Sequence, residues 1–176
     1  MDYRVHNQIV NFIWGIADDV LRDIYTRGKY RDVILPFTVL RRLDALLEPT
    51  KEKVLKVNRF LNENQIDDKS ALKGQSGYKF YNTSKFTFRT LLNDPNHIRS
   101  NLENYLDGFS EEVQEVIGKF KLRNQLETLE DTGITFALIE KFVSRDINLS
   151  PEGAINSKGE ILPPLTNLGW VMSLRN

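Results

Sequence analysis

The chain has 176 residues, 40% of them hydrophobic, and its 24 basic and 24 acidic residues give a net charge of zero. This length and composition can close the core of one domain, and the charge balance excludes a protein that coats nucleic acid by bulk attraction. The absence of cysteine excludes disulfides, thiolate metal sites and thiol nucleophiles, and favours a reducing, cytoplasmic setting. The sequence contains no apolar run of about 18 residues and no signal peptide, so we expect a soluble protein that is not exported.

Two amphipathic helices joined by a basic turn are predicted between residues 7 and 47. Gly28 is expected to end the first helix in the left-handed conformation, and Asp32 to cap the second. Five basic residues and one acid lie between positions 27 and 42, so a charged rim borders a large apolar face. Apolar residues recur at the helical spacing of three and four, as Val10, Ile13, Ala17, Val20 and Ile24 and then as Val33, Phe37, Leu40, Leu43 and Leu47.

The same spacing predicts further helices along the chain. One follows Pro49 and ends near Asn64, and another begins at Asp94 and ends at Gly108. Three more are predicted from Ser110, through 122–133 and from Ile134 to about Arg145. Beyond Asn148 proline and glycine are frequent, and apolar residues keep neither the helical spacing nor the alternation of a strand. Residues 148–176 are therefore predicted to form an irregular tail.

The segment 78–88, YKFYNTSKFTF, alternates aromatic or β-branched residues with polar ones, which is the pattern of short extended segments. Its rings could stack on an extruded base beside Lys79 and Lys85. Packing of the rings onto the helices is the favoured interpretation. The fold class is therefore mainly α, a helical bundle of about six to eight helices with a short β-hairpin near residues 78–88.

The residues of known catalytic and metal sites are missing from the sequence. His6 and His97 are far apart and have no carboxylate at metal-ligand spacing, so no metal site is expected. The loop 74–77 lacks the Lys-Ser/Thr of a phosphate-binding loop, and no serine lies in a nucleophile elbow. We predict no catalytic, cofactor-binding or metal-binding residue in this chain.

Three stretches together resemble one known family: NFIWGIADDVLR, YRDVILPFTVLRRLDALLEPTKEKVL and FYNTSKFTFRTLLNDPNHIRSNLENYLDGFSEEVQEV. They are similar to the N-terminal helical domain of the methylation subunit of type I restriction-modification systems. The resemblance covers roughly residues 7–147, so residues 1–147 are predicted to form that domain and 148–176 to depart from the family pattern.

The resemblance implies that the intact protein transfers a methyl group from S-adenosylmethionine to N6 of adenine in DNA. It also implies a complex of two methylation subunits with one specificity subunit, joined in the full enzyme by the restriction subunit. In the family this helical domain precedes the catalytic domain and helps to close the complex around double-stranded DNA.

The family's glycine-rich cofactor motif and its catalytic Asn-Pro-Pro-aromatic motif are not found in this sequence. The one Pro-Pro pair is flanked by Leu162 and Leu165, where the family motif has the asparagine and the aromatic ring. The chain alone is therefore expected to be non-catalytic and to hold no cofactor, as a truncated gene product or an isolated domain would be.

Two functions follow from these observations. The favoured one is a clamp and assembly domain, and the alternative is a standalone helical interaction protein or remnant that binds the specificity or methylation subunits without touching DNA. An intrinsic methyltransferase is the least favoured. The candidate contacts with DNA or partner subunits are basic: Arg27, Lys29, Arg31, Arg41, Arg42, Lys79, Lys85 and Arg89.

Overall fold

The computed structural model describes residues 3–144, with side chains from Val10 onward. Within this range the chain is mainly α-helical, as predicted, with eight helices of seven residues or more and one single-turn helix, α5. The predicted tail, residues 148–176, lies outside the described residues. The helices are α1 (Tyr3–Ile16), α2 (Tyr30–Leu47), α3 (Lys51–Glu63), α4 (Ser70–Ser76), α5 (Phe88–Leu91), α6 (Ile98–Asp107), α7 (Glu111–Phe120), α8 (Arg123–Asp131) and α9 (Thr135–Val143).

The connection between α1 and α2 differs from the prediction. The first helix continues as a π-helical turn, Ala17–Leu21, and Gly28 lies in the 3-10 turn Arg27–Lys29 without a left-handed conformation. Because this turn leads directly into α2, the helix begins at Tyr30, and Asp32 lies in its first turn instead of capping it.

The main core forms around α2 and α9. Helix α2 packs against α7, α9 and the π-helical turn, and α9 also contacts α5, α6 and α8. A chain of aromatic rings runs through this core and joins five helices with the corner after α6. Its centroid separations, from 5.1 to 6.2 Å, fall in the range of favourable aromatic pairs. In order, the rings are Phe12, Phe142, Phe37, Phe88, Tyr105 and Phe109.

Helices α3 and α4 pack on each other around a second, smaller cluster of Val54, Leu61 and Leu72. The ring of Tyr81 packs against this cluster from the segment that follows α4. The Ser76 hydroxyl at the end of α4 donates to the carbonyl oxygen of Phe80, 2.7 Å away. The segment 78–88 therefore lies between the two hydrophobic clusters and contacts both.

The predicted β-hairpin at 78–88 is wrong. No strand pair forms within the described residues, and the segment makes one isolated antiparallel bridge, between Asn82 and Phe109. Its amide and carbonyl groups bond instead to the corner after α6, as in the 2.8 Å bond from the Thr83 amide to the Gly108 oxygen. The favoured interpretation of the rings is confirmed for Phe80 and Phe86, which pack against the main core, and for the fully buried Phe88.

Gly108 is required where the segment crosses this corner. Its backbone angles suit any residue, but a Cβ atom there would lie 2.5 Å from the Ser84 nitrogen and 2.6 Å from the Asn82 side-chain oxygen. Atoms cannot approach that closely, so the segment would have to move away.

We expect Gly108→Ala to lower the free energy of unfolding by about 1–3 kcal/mol, because the added methyl group overpacks the corner. The matched control is Gly118→Ala within α7, where nothing lies within 4 Å of the added Cβ. That change should raise the free energy of unfolding by up to about 1 kcal/mol, through helix propensity alone. Urea denaturation of both variants tests the pair, and equal effects would contradict a close approach at Gly108.

Candidate functional site

A buried carboxylate that joins several helices, that of Asp44, lies on the buried face of α2. It is only 5% exposed, yet donors surround it. The Phe88 amide, at the first position of α5, lies 3.3 Å from both oxygens. The Tyr105 hydroxyl donates to Oδ1 and the Arg41 guanidinium to Oδ2, each over 3.2 Å. We call these four residues the Asp44 node.

Local sequence explains why the Phe88 amide is available to the node. Thr87 and Thr90 form a capping box, in which the Thr87 amide bonds to the Thr90 hydroxyl and the Thr90 amide to the Thr87 hydroxyl. The amide of the first helical residue has no acceptor within a helix. Asp44 supplies that acceptor from a different helix.

A second buried group, Lys51, lies beside the node. Its ammonium donates to the side-chain oxygen of Asn82 over 3.2 Å and lies 6.0 Å from the centre of the Tyr105 ring. Asn82 in turn donates to the Tyr105 carbonyl oxygen over 2.9 Å and accepts from the Ser84 amide over 2.8 Å. The first residue of α3 is thereby connected to α6 through the segment 78–88.

Burial dominates the ionisation of both charged groups. It raises the pKa of Asp44 from 3.8 to about 6, against the lowering effects of Arg41, the Phe88 amide and Lys51. It lowers the pKa of Lys51 from 10.5 to about 8, against the raising effect of Asp44. Shifted pKa values of this kind also occur at active sites. Here the groups are enclosed by core side chains, so we assign the node a positioning role.

Two of the eight predicted contact residues face the protein interior. Arg41 is 12% exposed, and besides Asp44 it donates through Nε to the Phe142 oxygen at the end of α9, over 3.2 Å. Arg42 is partly buried, and burial lowers its pKa. Arg41 therefore joins α2 to α9 directly, and its guanidinium is engaged within the protein.

The other six predicted residues are exposed and fall into two groups. Arg27 and Lys29 lie in the turn before α2, and Arg31 lies in the first turn of α2 itself. Lys29 and Arg31 are both 3.7 Å from the carboxylate of Asp32. Lys79, Lys85 and Arg89 lie along the segment 78–88 and the start of α5. The structure therefore gives the predicted residues different environments, since Arg41 and Arg42 are at least partly buried and the other six are exposed.

Some relevant residues were absent from the sequence prediction. Asp44 interrupts the apolar face of α2, and an acid at such a position is the signal that could have pointed to a buried polar network. The outer face of α3 also carries three exposed cations, Lys53, Lys56 and Arg59, at steps of three residues. Their spacing was visible in the sequence, although Glu52 and Glu63 on the same helix partly offset their charge.

An open cleft of about 440 Å³ lies between the start of α6 and the start of α9. Its one arginine, Arg99, is already engaged by the carboxylates of Glu103 and Glu130. No group of three histidine, aspartate or glutamate residues that could hold a metal occurs among residues with described side chains. None of the described helices is long and apolar enough to cross a membrane.

Comparison with models of protein families identifies the family of this chain. The model of the HsdM N-terminal domain matches residues 9–142. The chain belongs to the HsdM N-terminal domain family. HsdM is the methylation subunit of type I restriction-modification systems, so the resemblance seen in the sequence is confirmed. No curated protein and no solved structure matches the chain significantly. The match ends one residue before the last residue of α9, so it spans both hydrophobic clusters.

The ionisation of Asp44 predicts a pH dependence of stability. Its pKa is raised in the folded protein, so between about pH 4 and pH 6 the folded state binds more protons than the unfolded chain. The contribution of Asp44 to the free energy of unfolding therefore falls as pH rises through this window. The measurement is urea denaturation of the wild type and of Asp44→Asn at several pH values.

The free energy of unfolding of the wild type minus that of Asp44→Asn should fall from about pH 4 to about pH 6 and stay constant above that range. Other titrating groups are common to both proteins and cancel in the difference. A difference that grows with pH would mean that the ionised carboxylate is better stabilised inside the protein than in water.

Proposed function

We propose that the chain acts as a non-catalytic N-terminal domain of a type I DNA adenine-N6 methyltransferase subunit. In this role it helps the subunits to assemble and to close around double-stranded DNA. Its partners are the specificity subunit, a second methylation subunit and the restriction subunit. S-adenosylmethionine binds the intact methylation subunit, and this chain supplies no part of its site.

The observation that carries the proposal is the match of residues 9–142 to the HsdM N-terminal domain. The distribution of side chains supports it. The polar groups that are buried serve to join helices, while the groups available to a partner are exposed cations and a few large apolar side chains. The largest of these apolar groups are Trp14, 59% exposed, and Phe60, 58% exposed. Exposed tryptophan is enriched among residues that dominate protein interfaces.

Assembly is tested by co-expressing the tagged chain with the methylation and specificity subunits of the same system. We expect the chain to co-purify with them, and Trp14→Ala to weaken the association by about 2 kcal/mol, roughly thirtyfold. Asn11→Ala, an exposed change on the same helix, is the matched control and should leave the association unchanged. Calorimetry with S-adenosylmethionine should give no binding to the chain alone.

Two results would contradict the proposal. Absence of the chain from the purified complex, with the chain folded by circular dichroism, would remove the assembly role. Measurable binding of S-adenosylmethionine by the chain alone would contradict a non-catalytic domain. Co-purification by a chain that never binds duplex DNA would instead favour an interaction protein that acts on the subunits alone.

A further inference from the structure

The stretch between Asp68 and Asp94 contains no acidic residue. Its 25 residues include five bases, Lys69, Lys73, Lys79, Lys85 and Arg89. Two of these are engaged in the fold, since Lys73 pairs with Glu112 and Lys69 donates to the side-chain oxygen of Asn62. The remaining three, which we call the basic strip, are Lys79, Lys85 and Arg89.

The basic strip differs from many other exposed cations of the described structure in having no carboxylate partner. Arg22, Arg123 and Lys141, for example, lie 3.2, 2.6 and 2.8 Å from the carboxylates of Asp18, Asp107 and Asp19. Within the described residues no member of the basic strip makes an ion pair, and Lys85 lies 5.0 Å from the ring centre of its neighbour Phe86. Their charge is therefore available to an external anion.

The backbone beneath the basic strip is held in place by buried bonds. Asn82 is 2% exposed and bonds to Lys51, Tyr105 and the Ser84 amide. The Phe88 amide bonds to Asp44 immediately before Arg89. A fixed backbone reduces the conformational entropy lost when the cations engage a ligand.

The rings of the segment fit duplex DNA better than a single strand. A single-stranded site needs several exposed rings for base stacking. Among the five aromatic rings of 78–88, only that of Tyr78 belongs to an exposed residue, at 36%, and it stacks on Phe80 at 5.4 Å.

We infer that the basic strip contacts the phosphates of double-stranded DNA, and that the cations around the start of α2, Arg27, Lys29 and Arg31, do not. The inference rests on the DNA-facing part of the proposed function and adds the surface through which it acts. Around the start of α2, Asp32 already offsets two of the three cations. Two exposed acids near the segment, Glu111 and Glu112, follow Ser110, whose amide bonds to the Tyr81 oxygen, and Glu112 is paired with Lys73.

Fluorescence anisotropy of the 176-residue chain with a labelled duplex of about 30 base pairs, titrated with salt, tests the inference. Each phosphate contact contributes about 0.9 to the slope of log affinity against log salt. The triple variant Lys79→Gln, Lys85→Gln, Arg89→Gln should therefore reduce the slope by about 2.7 and weaken binding at least about tenfold at low salt. Lys79→Arg with Lys85→Arg keeps the charge and should bind like the wild type.

The matched control is the triple variant Arg27→Gln, Lys29→Gln, Arg31→Gln, which removes the same formal charge from the start of α2. It should change the slope of log affinity against log salt by less than about 0.9, the value of one phosphate contact. Equal losses in the two triple variants would overturn the inference, as would an unchanged slope in the basic-strip variant or tighter binding of a single strand. Thermal melting should be the same for all variants, which excludes unfolding as the cause of a loss.

Failure of the wild-type chain to bind any duplex would overturn both the inference and the DNA-facing part of the proposed function. Co-purification with the partner subunits tests assembly separately, so the two failures are distinguishable.

Discussion

A carboxylate buried in an apolar core is unstable unless donors replace the water it has lost, and this requirement organises the described structure around Asp44. Helix α2 provides Arg41 from one turn away, α6 provides the Tyr105 hydroxyl, and α5 provides the Phe88 amide. Removing one partner of such a group typically costs about 3–5 kcal/mol, because the other is left buried and uncompensated. The node therefore fixes the relative positions of three helices that are distant in the sequence.

The single turn of α5 illustrates this dependence. Four residues cannot form a stable helix alone, because nucleation costs more than one hydrogen bond returns. The capping box of Thr87 and Thr90 satisfies two groups locally, and Asp44 satisfies the amide that the box leaves open. The Phe88 ring then lies between Phe37 and Tyr105 in the core. Core packing of Phe88 and the bond to the buried carboxylate of Asp44 together stabilise α5, which helix propensity alone could not do.

The sequence predicted the helices well wherever an apolar face recurred, because that spacing reflects burial directly. It failed where a backbone group had more than one possible partner. The alternation in 78–88 reports extended structure, but it could not tell a hairpin from a segment bonded to the corner at Gly108, since the choice depends on residues 20 or more positions away. Arg41 and Arg89 likewise look alike in sequence, and only the position of Asp44 directs one inward.

Basic residues directed inward and basic residues left at the surface have different roles in this domain. Of the basic residues that the sequence offered, Arg41 is used to hold helices together, while residues such as Lys79, Lys85 and Arg89 remain exposed. A domain of the HsdM family that positions its interior so closely presents fixed surfaces, and we propose that the other subunits and DNA bind them.

Hydrogen exchange at the Phe88 amide tests the central claim most directly, because this group is held by Asp44 alone and belongs to a helix too short to protect it. If the Asp44 node organises the core, this amide exchanges as slowly as the amides in the middle of α2, and Asp44→Ala makes it exchange much faster. An amide that exchanges in the wild type at the rate of an exposed peptide would contradict the account.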